Sequence, residues 1–256
     1  MPNSSAGAAG CAQARGAAKT MPVVEKFVSV NGEGRFAGRL AAFVRFAGCN
    51  LSCSYCDTTW ANEPGVHVEP MTVDEIVGFV RGTGVRHATL TGGEPALQPL
   101  LPDLVRALME VRMPGEPGEG SYGLRIEIET NGAVDLQKLA QVRRLGAARP
   151  DSVSFTMDYK CPSSGMEGAM LASNFALLER NDTVKFVLGS QDDLERMLAV
   201  VREHDLCARC AVYLSPVFGK LDPADIVAFM QEHALTCATV QVQLHKIIWP
   251  NVEKGV

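Results

Sequence analysis

From Leu40 onward, short β-branched runs alternate with helical patterns, and that rhythm restricts the chain to a parallel sheet with helices outside it. Leu40–Phe46, His87–Leu90, Leu124–Glu129, Ser152–Asp158, Thr183–Leu188 and Ala211–Leu214 read as strands, and Val240–Leu244 closes the series. Thr72 with Glu75 three residues on marks a capping box for a helix over Thr72–Val80. Leu100, Leu101, Leu104, Val105 and Leu108 share one helical face, a helix follows from Asp135, and Asp222-Pro223 opens another with an N-cap and proline at N1. Only about six βα units fit, so the expected fold is α/β, a partial parallel (β/α)6 barrel. In such barrels the carboxyl ends of the strands carry the active site. The distinctive residues fall there: Cys49, Thr91–Pro95, Glu129–Gly132, Asp158–Lys160 and Ser215–Phe218.

Composition limits the partners. Hydrophobic residues make up 46% and charged residues 21%, enough for an ample core. A net charge of −5 argues against nucleic acid or an acidic membrane surface, and no apolar run approaches the roughly 18 residues of a membrane span. The Ala/Gly-rich start lacks the central apolar block of a signal peptide. Residues 1–21 are expected to be a disordered leader and 22–256 a single domain, with the Gly/Pro-rich stretch 113–123 a surface loop.

Eight cysteines sit at 11, 49, 53, 56, 161, 207, 210 and 237. Three within one short stretch point to metal or redox chemistry rather than a disulfide framework, and so to a reducing compartment, the cytoplasm. Cys49-x3-Cys53-x2-Cys56 can hold three irons of a cubane and leave the fourth open. A zinc site needs a fourth ligand, for which His67 is available. Cys161, Cys207, Cys210 and Cys237 fall on different expected elements and read as packing cysteines rather than a second cluster. TGGEP (Thr91–Pro95) and ETNG (Glu129–Gly132) end the second and third expected strands. The latter offers an acid and an amide to a ligand, or simply an Asn-Gly turn.

These segments resemble the radical S-adenosylmethionine (SAM) superfamily. The resemblance implies a 4Fe–4S cluster on Cys49, Cys53 and Cys56, with SAM chelating the open iron and being cleaved to a deoxyadenosyl radical. It puts Tyr55 beside the adenine, and Gly93 and Glu94 at SAM's amino group. Within the superfamily, Asn31-Gly32-Glu33-Gly34, Gly38, Phe43, Arg45, Gly48-Cys49-Asn50, Cys56-Asp57-Thr58 and the tail QLHKIIWP resemble the 7-carboxy-7-deazaguanine synthase family from Val24 onward. That family converts 6-carboxy-5,6,7,8-tetrahydropterin to 7-carboxy-7-deazaguanine, releasing ammonia, on the route to queuosine.

The resemblance implies catalytic roles for Glu33 and Arg45, and substrate contacts from Val30, Asn31, Gly32, Arg45, Thr91, His245 and Pro250. It implies cofactor contacts from Asp57, Glu129, Asn131, Asp158, Tyr159, Lys160, Ser215, Pro216, Val217 and Phe218, and a Mg²⁺ ion held by Thr58. An electron donor such as flavodoxin and a homodimer are implied as well. Asn31 stands where the family has glutamine, DYKCPSSGM is longer than the common form, and the chain continues past Pro250 as NVEKGV. A glycyl-radical activating enzyme would share the cysteine loop and GGE but lack the Asn-Gly-Glu-Gly stretch and the His-Lys tail. The remaining rival is a zinc-stabilised binding module.

Overall fold

The computed structural model describes residues 18–115, 120–145, 149, 151–252 and 254–256. Its strands are β1 (Met21–Val30), β2 (Leu40–Phe46), β3 (Glu69–Met71), β4 (His87–Gly92), β5 (Arg112–Met113), β6 (Tyr122–Gly123), β7 (Arg125–Thr130), β8 (Val153–Tyr159), β9 (Thr183–Leu188), β10 (Ala211–Pro216) and β11 (Ala238–Val240). The helices are α1 (Val73–Gly82), α2 (Leu101–Met109), α3 (Gln137–Leu145), α4 (Gln191–Glu203), α5 (Leu206–Arg209), α6 (Pro223–Glu232) and α7 (Leu244–Ile248). Nine strands form one sheet in the order β11-β10-β9-β8-β7-β4-β2-β1-β3. Within this sheet every pairing from β2 to the β11 edge is parallel, whereas β1 runs antiparallel to both β2 and β3, and β5 and β6 form a separate antiparallel pair.

Each strand alternates with period two, so its two faces differ. Ala42, Val44, Phe46, Leu90, Ile126, Ile128, Phe155, Met157, Val184, Phe186, Val212 and Leu214 face outward into the apolar layer beneath the helices. The opposite face carries Thr89, Thr91, Glu127, Thr156, Lys185 and Ser215, all buried. Parallel strands covered on both sides are normally apolar throughout. A polar inner face therefore marks the barrel interior as a ligand site. Helices α1 and α6 start at side-chain caps: Glu75 N–H donates to Thr72 Oγ1 (3.2 Å), and Ala224 N–H to Asp222 Oδ1 (2.8 Å).

The sheet curls into an incomplete barrel whose ends are joined by loops instead of a strand pair. After β1 the chain turns inward, and Gln241, just past β11, clasps Gly34: Gly34 N–H donates to Gln241 Oε1 (2.6 Å) and Gln241 Nε2 to the Gly34 carbonyl (3.0 Å). Leu244 N–H donates to the Gly32 carbonyl (3.1 Å). A Cβ on Gly32 would come within 2.5 Å of His245 Nδ1, so the imidazole packs directly on the Gly32 backbone.

Several expectations need correction. Met21, assigned to the leader, begins β1 and is 1% exposed; residues 1–17 of that leader lie outside the described residues. Val240–Leu244 is not a strand: β11 ends at Val240 and Leu244 starts α7, because the segment must turn inward to meet Gly32. Met113 and Tyr122 pair antiparallel within the expected loop 113–123, and 116–119 lie outside the described residues. Cys207 and Cys237, read as packing thiols, form a disulfide. They precede the adjacent strands β10 and β11, whose pairing brings their Cα atoms to 5.7 Å.

Candidate functional site

The cysteine loop leaves the end of β2 and is fixed by backbone crossings. Gly93 N–H donates to the Phe46 carbonyl (3.0 Å) and Glu94 N–H to the Gly48 carbonyl (2.8 Å). A Cβ on Gly92 would sit 2.5 Å from the Phe46 oxygen, and one on Gly93 2.6 Å from the Gly48 carbonyl carbon. The paired glycines of TGGEP thus allow the second strand end to lie on the root of the loop. Beyond it, Cys49, Cys53 and Cys56 carry free thiols. Leu51 N–H and the Asn131 amide donate to Cys49 Sγ (3.4 and 3.6 Å). Ser54 donates from N–H to the Ser164 carbonyl (3.1 Å) and from Oγ to the Ser163 carbonyl (2.7 Å). The long DYKCPSSGM segment is the shelf that holds the loop.

Below the loop, charges pair across the interior. Arg45 Nε donates to Glu25 Oε2 (3.0 Å), and Arg45 stands in register with Thr91 on the neighbouring strand. Lys185 Nζ lies 2.8 Å from Glu33 Oε2 and 3.1 Å from Asp158 Oδ1, while Lys160 Nζ donates to Asp158 Oδ2 (2.6 Å). Deeper still, Asn31 Nδ2 donates to Glu127 Oε2 (3.1 Å), Thr89 Oγ1 to Asn31 Oδ1 (3.1 Å) and Thr156 Oγ1 to Glu127 Oε1 (2.6 Å). Burial, reinforced by nearby Glu129, pushes the Glu127 carboxyl up to about 8. Burial raises Glu129 as well, against the opposing pull of Lys185.

Many of the expected residues converge on this interior and its mouth. Glu33, Arg45, Thr91, Glu129, Asp158 and Lys160 line it. Tyr55 reaches across the top to donate to the Val187 carbonyl (3.3 Å). Asp57 and Thr58 lie beside Cys56, with Thr58 Oγ1 donating to Asp57 Oδ1 (3.2 Å) and making no helix-cap bond. Lys246 stands 3.7 Å from Asp57, and His245 packs on Gly32.

Other expected contacts face elsewhere. Asn31 is 1% exposed, its amide held by Glu127 and Thr89 and its backbone by Gly38 and Arg39. Glu94 is 0% exposed and accepts from Ala96 N–H, Asn131 N–H and Thr130 Oγ1, which ties TGGEP to ETNG. Asn131 turns to Cys49 and Asn50. Tyr159 follows inward-facing Asp158 and so points outward, stacking near Phe175 and Phe186 and donating to Glu167 (2.9 Å). Ser215 is 0% exposed, between the Gln241 carbonyl (2.9 Å) and Glu33 Oε1 (3.2 Å). Pro216 and Val217 are buried, Phe218 is 73% exposed, Pro250 is exposed, and Val30 pairs with Leu40 at the end of β1. Lys185, Glu127 and Gln241 were not expected. The inner-face alternation of TVKFVL and LRIEIE carried the signal for the first two.

The donor set fits a cubane. Soft thiolates are the ligands iron–sulfur clusters take. Three thiolates in one loop suit three irons of a cubane, whereas a structural zinc site needs a fourth protein ligand. The half-buried Glu129, Asp158 and Lys160 beside the loop offer both charge signs to a zwitterionic ligand.

A curled parallel sheet with such a thiol loop at its carboxyl edge is the radical SAM architecture, and residues 43–159 match the Radical SAM superfamily model. The chain is 45% identical over 234 residues to the 7-carboxy-7-deazaguanine synthase of Clostridium acetobutylicum, covering 91% of this chain and 98% of that protein. The Methanospirillum hungatei synthase is 36% identical, covering 89% and 85%. The chain belongs to the 7-carboxy-7-deazaguanine synthase family. The fold is also that of Escherichia coli QueE, with a TM-score of 0.63 at 20% identity, covering 88% of this chain and 95% of that one. Both rival readings, the activase and the zinc module, give way to this membership.

Proposed function

We propose that the protein converts 6-carboxy-5,6,7,8-tetrahydropterin to 7-carboxy-7-deazaguanine with release of ammonia. The observation that carries this reading is the state of Arg45. Glu25 anchors its guanidinium through Nε, while its terminal nitrogens bond no protein group among the described residues. That pair is free to hold a substrate carboxylate by two parallel hydrogen bonds.

Cys49, Cys53 and Cys56 would hold the 4Fe–4S cluster, which with SAM supplies hydrogen-abstracting radical chemistry. The chain's own residues bind and orient. Glu33, held in place by Lys185, accepts from the amino and ring N–H groups of the pterin, with Thr91 and His245 beside it. Asp158 and Lys160 meet the charged end of SAM, with Glu129 next to them. Tyr55 covers the mouth and, with α7, keeps water out. Asp57 and Thr58 offer neighbouring oxygens to Mg²⁺, a hard cation that keeps most of its waters. Reduction by a flavodoxin-type donor, a cytoplasmic setting and a homodimer complete the reading. No helix among the described residues is long and apolar enough to cross a membrane.

Anaerobic, cluster-loaded protein with SAM, reductant and substrate deuterated at C6 tests the reaction. Product should exceed SAM consumed, and deuterium should pass into SAM. Stoichiometric loss of SAM without label transfer would overturn the reading.

A further inference from the structure

Four charged side chains form one row through the barrel interior, Glu33–Lys185–Asp158–Lys160, and its two ends serve different ligands under the function proposed above. Glu33 belongs to the pterin end, while Asp158 and Lys160 belong to the cofactor end. Lys185 alone joins them, at 2.8 Å from Glu33 Oε2 and 3.1 Å from Asp158 Oδ1. We propose that Lys185 is a positioning residue that couples the two ligand sites, so that SAM bound at the Asp158–Lys160 end tightens the grip of Glu33 on the pterin. The inference rests on the proposed reaction.

The geometry suits such a coupling. An ammonium has three donors, and two are shared between carboxylates that face different ligands. Asp158 is itself divided between Lys185 and Lys160, one on each oxygen. A ligand carboxylate that draws Lys160 off Asp158 leaves Asp158 to pull Lys185 harder, which frees Glu33 to accept from the pterin, and in this buried setting water screens the exchange little. The backbone cannot move to compensate. Lys185 is in the body of β9, in register with Asp158 on one side and Tyr213 on the other. Ser215 Oγ, 3.2 Å from Glu33 Oε1, limits Glu33 to small reorientations. A lysine that merely neutralised buried carboxylates would give the same stability but no communication between the ligands.

The test measures the dissociation constant of 6-carboxy-5,6,7,8-tetrahydropterin on anaerobic, cluster-loaded enzyme, with and without SAM. In the unsubstituted protein SAM should tighten pterin binding about tenfold. Lys185→Gln should bring that ratio close to one while iron content and cluster absorbance stay unchanged, and Lys185→Arg should restore part of it. Asp158→Asn, which meets Glu33 only through Lys185, should weaken pterin binding about fivefold with SAM absent. An unchanged ratio in Lys185→Gln would overturn the proposal. If both lysine variants lose the cluster, Asp158→Asn decides, and unaltered pterin binding there would make Lys185 a folding residue only. Failure of the unsubstituted protein to bind the pterin at all would remove the reaction assignment first, and the coupling with it.

Discussion

Arg45 illustrates how a single side chain is prepared before any ligand arrives. Its pairing with Glu25 fixes the guanidinium plane and leaves the terminal nitrogens available. Losing a charge-assisted hydrogen bond of this kind costs about 1.5–3 kcal/mol, so Arg45→Ala should lower kcat/KM for the pterin about 10–100-fold, mainly through KM. Unchanged steady-state kinetics would remove the carboxylate role. The three thiols are equally specific: Cys53→Ala should abolish the broad cluster absorbance, whereas Cys161→Ala, which removes a buried thiol within the shelf, should keep its iron. Glu127 makes a different kind of prediction. Burial raises its folded-state carboxyl from the ordinary 4.5 to about 8, so between those values the native state binds a proton that the unfolded chain does not. Its contribution is fully present below the unfolded pKa and is lost as pH rises through the folded one. Melting temperature should fall between about pH 5 and 8 in the native protein and fall less steeply in Glu127→Gln. Parallel pH profiles would show that Glu127 titrates as an ordinary carboxyl.

At the scale of strands and loops, the crossing of TGGEP over Phe46–Gly48 sets the position of the whole cysteine loop. Gly93→Ala places a methyl against the Gly48 carbonyl, and neither backbone can yield without moving Cys49. Overpacking of this kind costs about 1–3 kcal/mol, and iron per chain should drop with it. A second element-level anchor is buried: Arg143 Nη1 bonds both Asp182 oxygens (2.8 and 2.7 Å), and Asp182 also accepts from Phe155 N–H and Glu179 N–H. Removing one partner leaves the other charge uncompensated, so Arg143→Met should lose about 3–5 kcal/mol in a denaturant titration. The alternation of strands and helices was readable from the chain because each βα unit is local. The β1–β2 hairpin was not, because β1 carries Glu25 and Lys26 at its middle and lacks a clean alternation, and the Cys207–Cys237 bond was not, because it depends on the parallel pairing of β10 with β11. Side-chain direction was readable but was read too coarsely. Asp158, Tyr159 and Lys160 were taken together, although Asp158 and Tyr159 are consecutive strand residues and must face opposite ways. The same rule, applied to Thr183, Lys185 and Val187, places Lys185 inside the barrel.

For the molecule as a whole, the exposed disulfide in its oxidised form holds β11, a three-residue edge strand, to the segment preceding β10, and in a reducing cytoplasm the same pair stands as two thiols. Its ends are 30 residues apart, and a closed loop of that size contributes about 3–4 kcal/mol by chain entropy. Cys207→Ser with Cys237→Ser should therefore lower the unfolding midpoint without loss of iron, as thermal melts under non-reducing conditions would record. Beyond β11 the barrel ends in the clasp of Gln241 on Gly34, where one side-chain amide offers a peptide unit the same donor and acceptor that a neighbouring strand would. The wall of the barrel is therefore a split ring held shut by a buckle. Breathing motions concentrate where bonds are fewest, so amide exchange should be faster at Gly34 than at Val184, deep in the parallel pairing. A ring shut by a single buckle gathers its freedom along one seam and leaves the strands on its far side at rest.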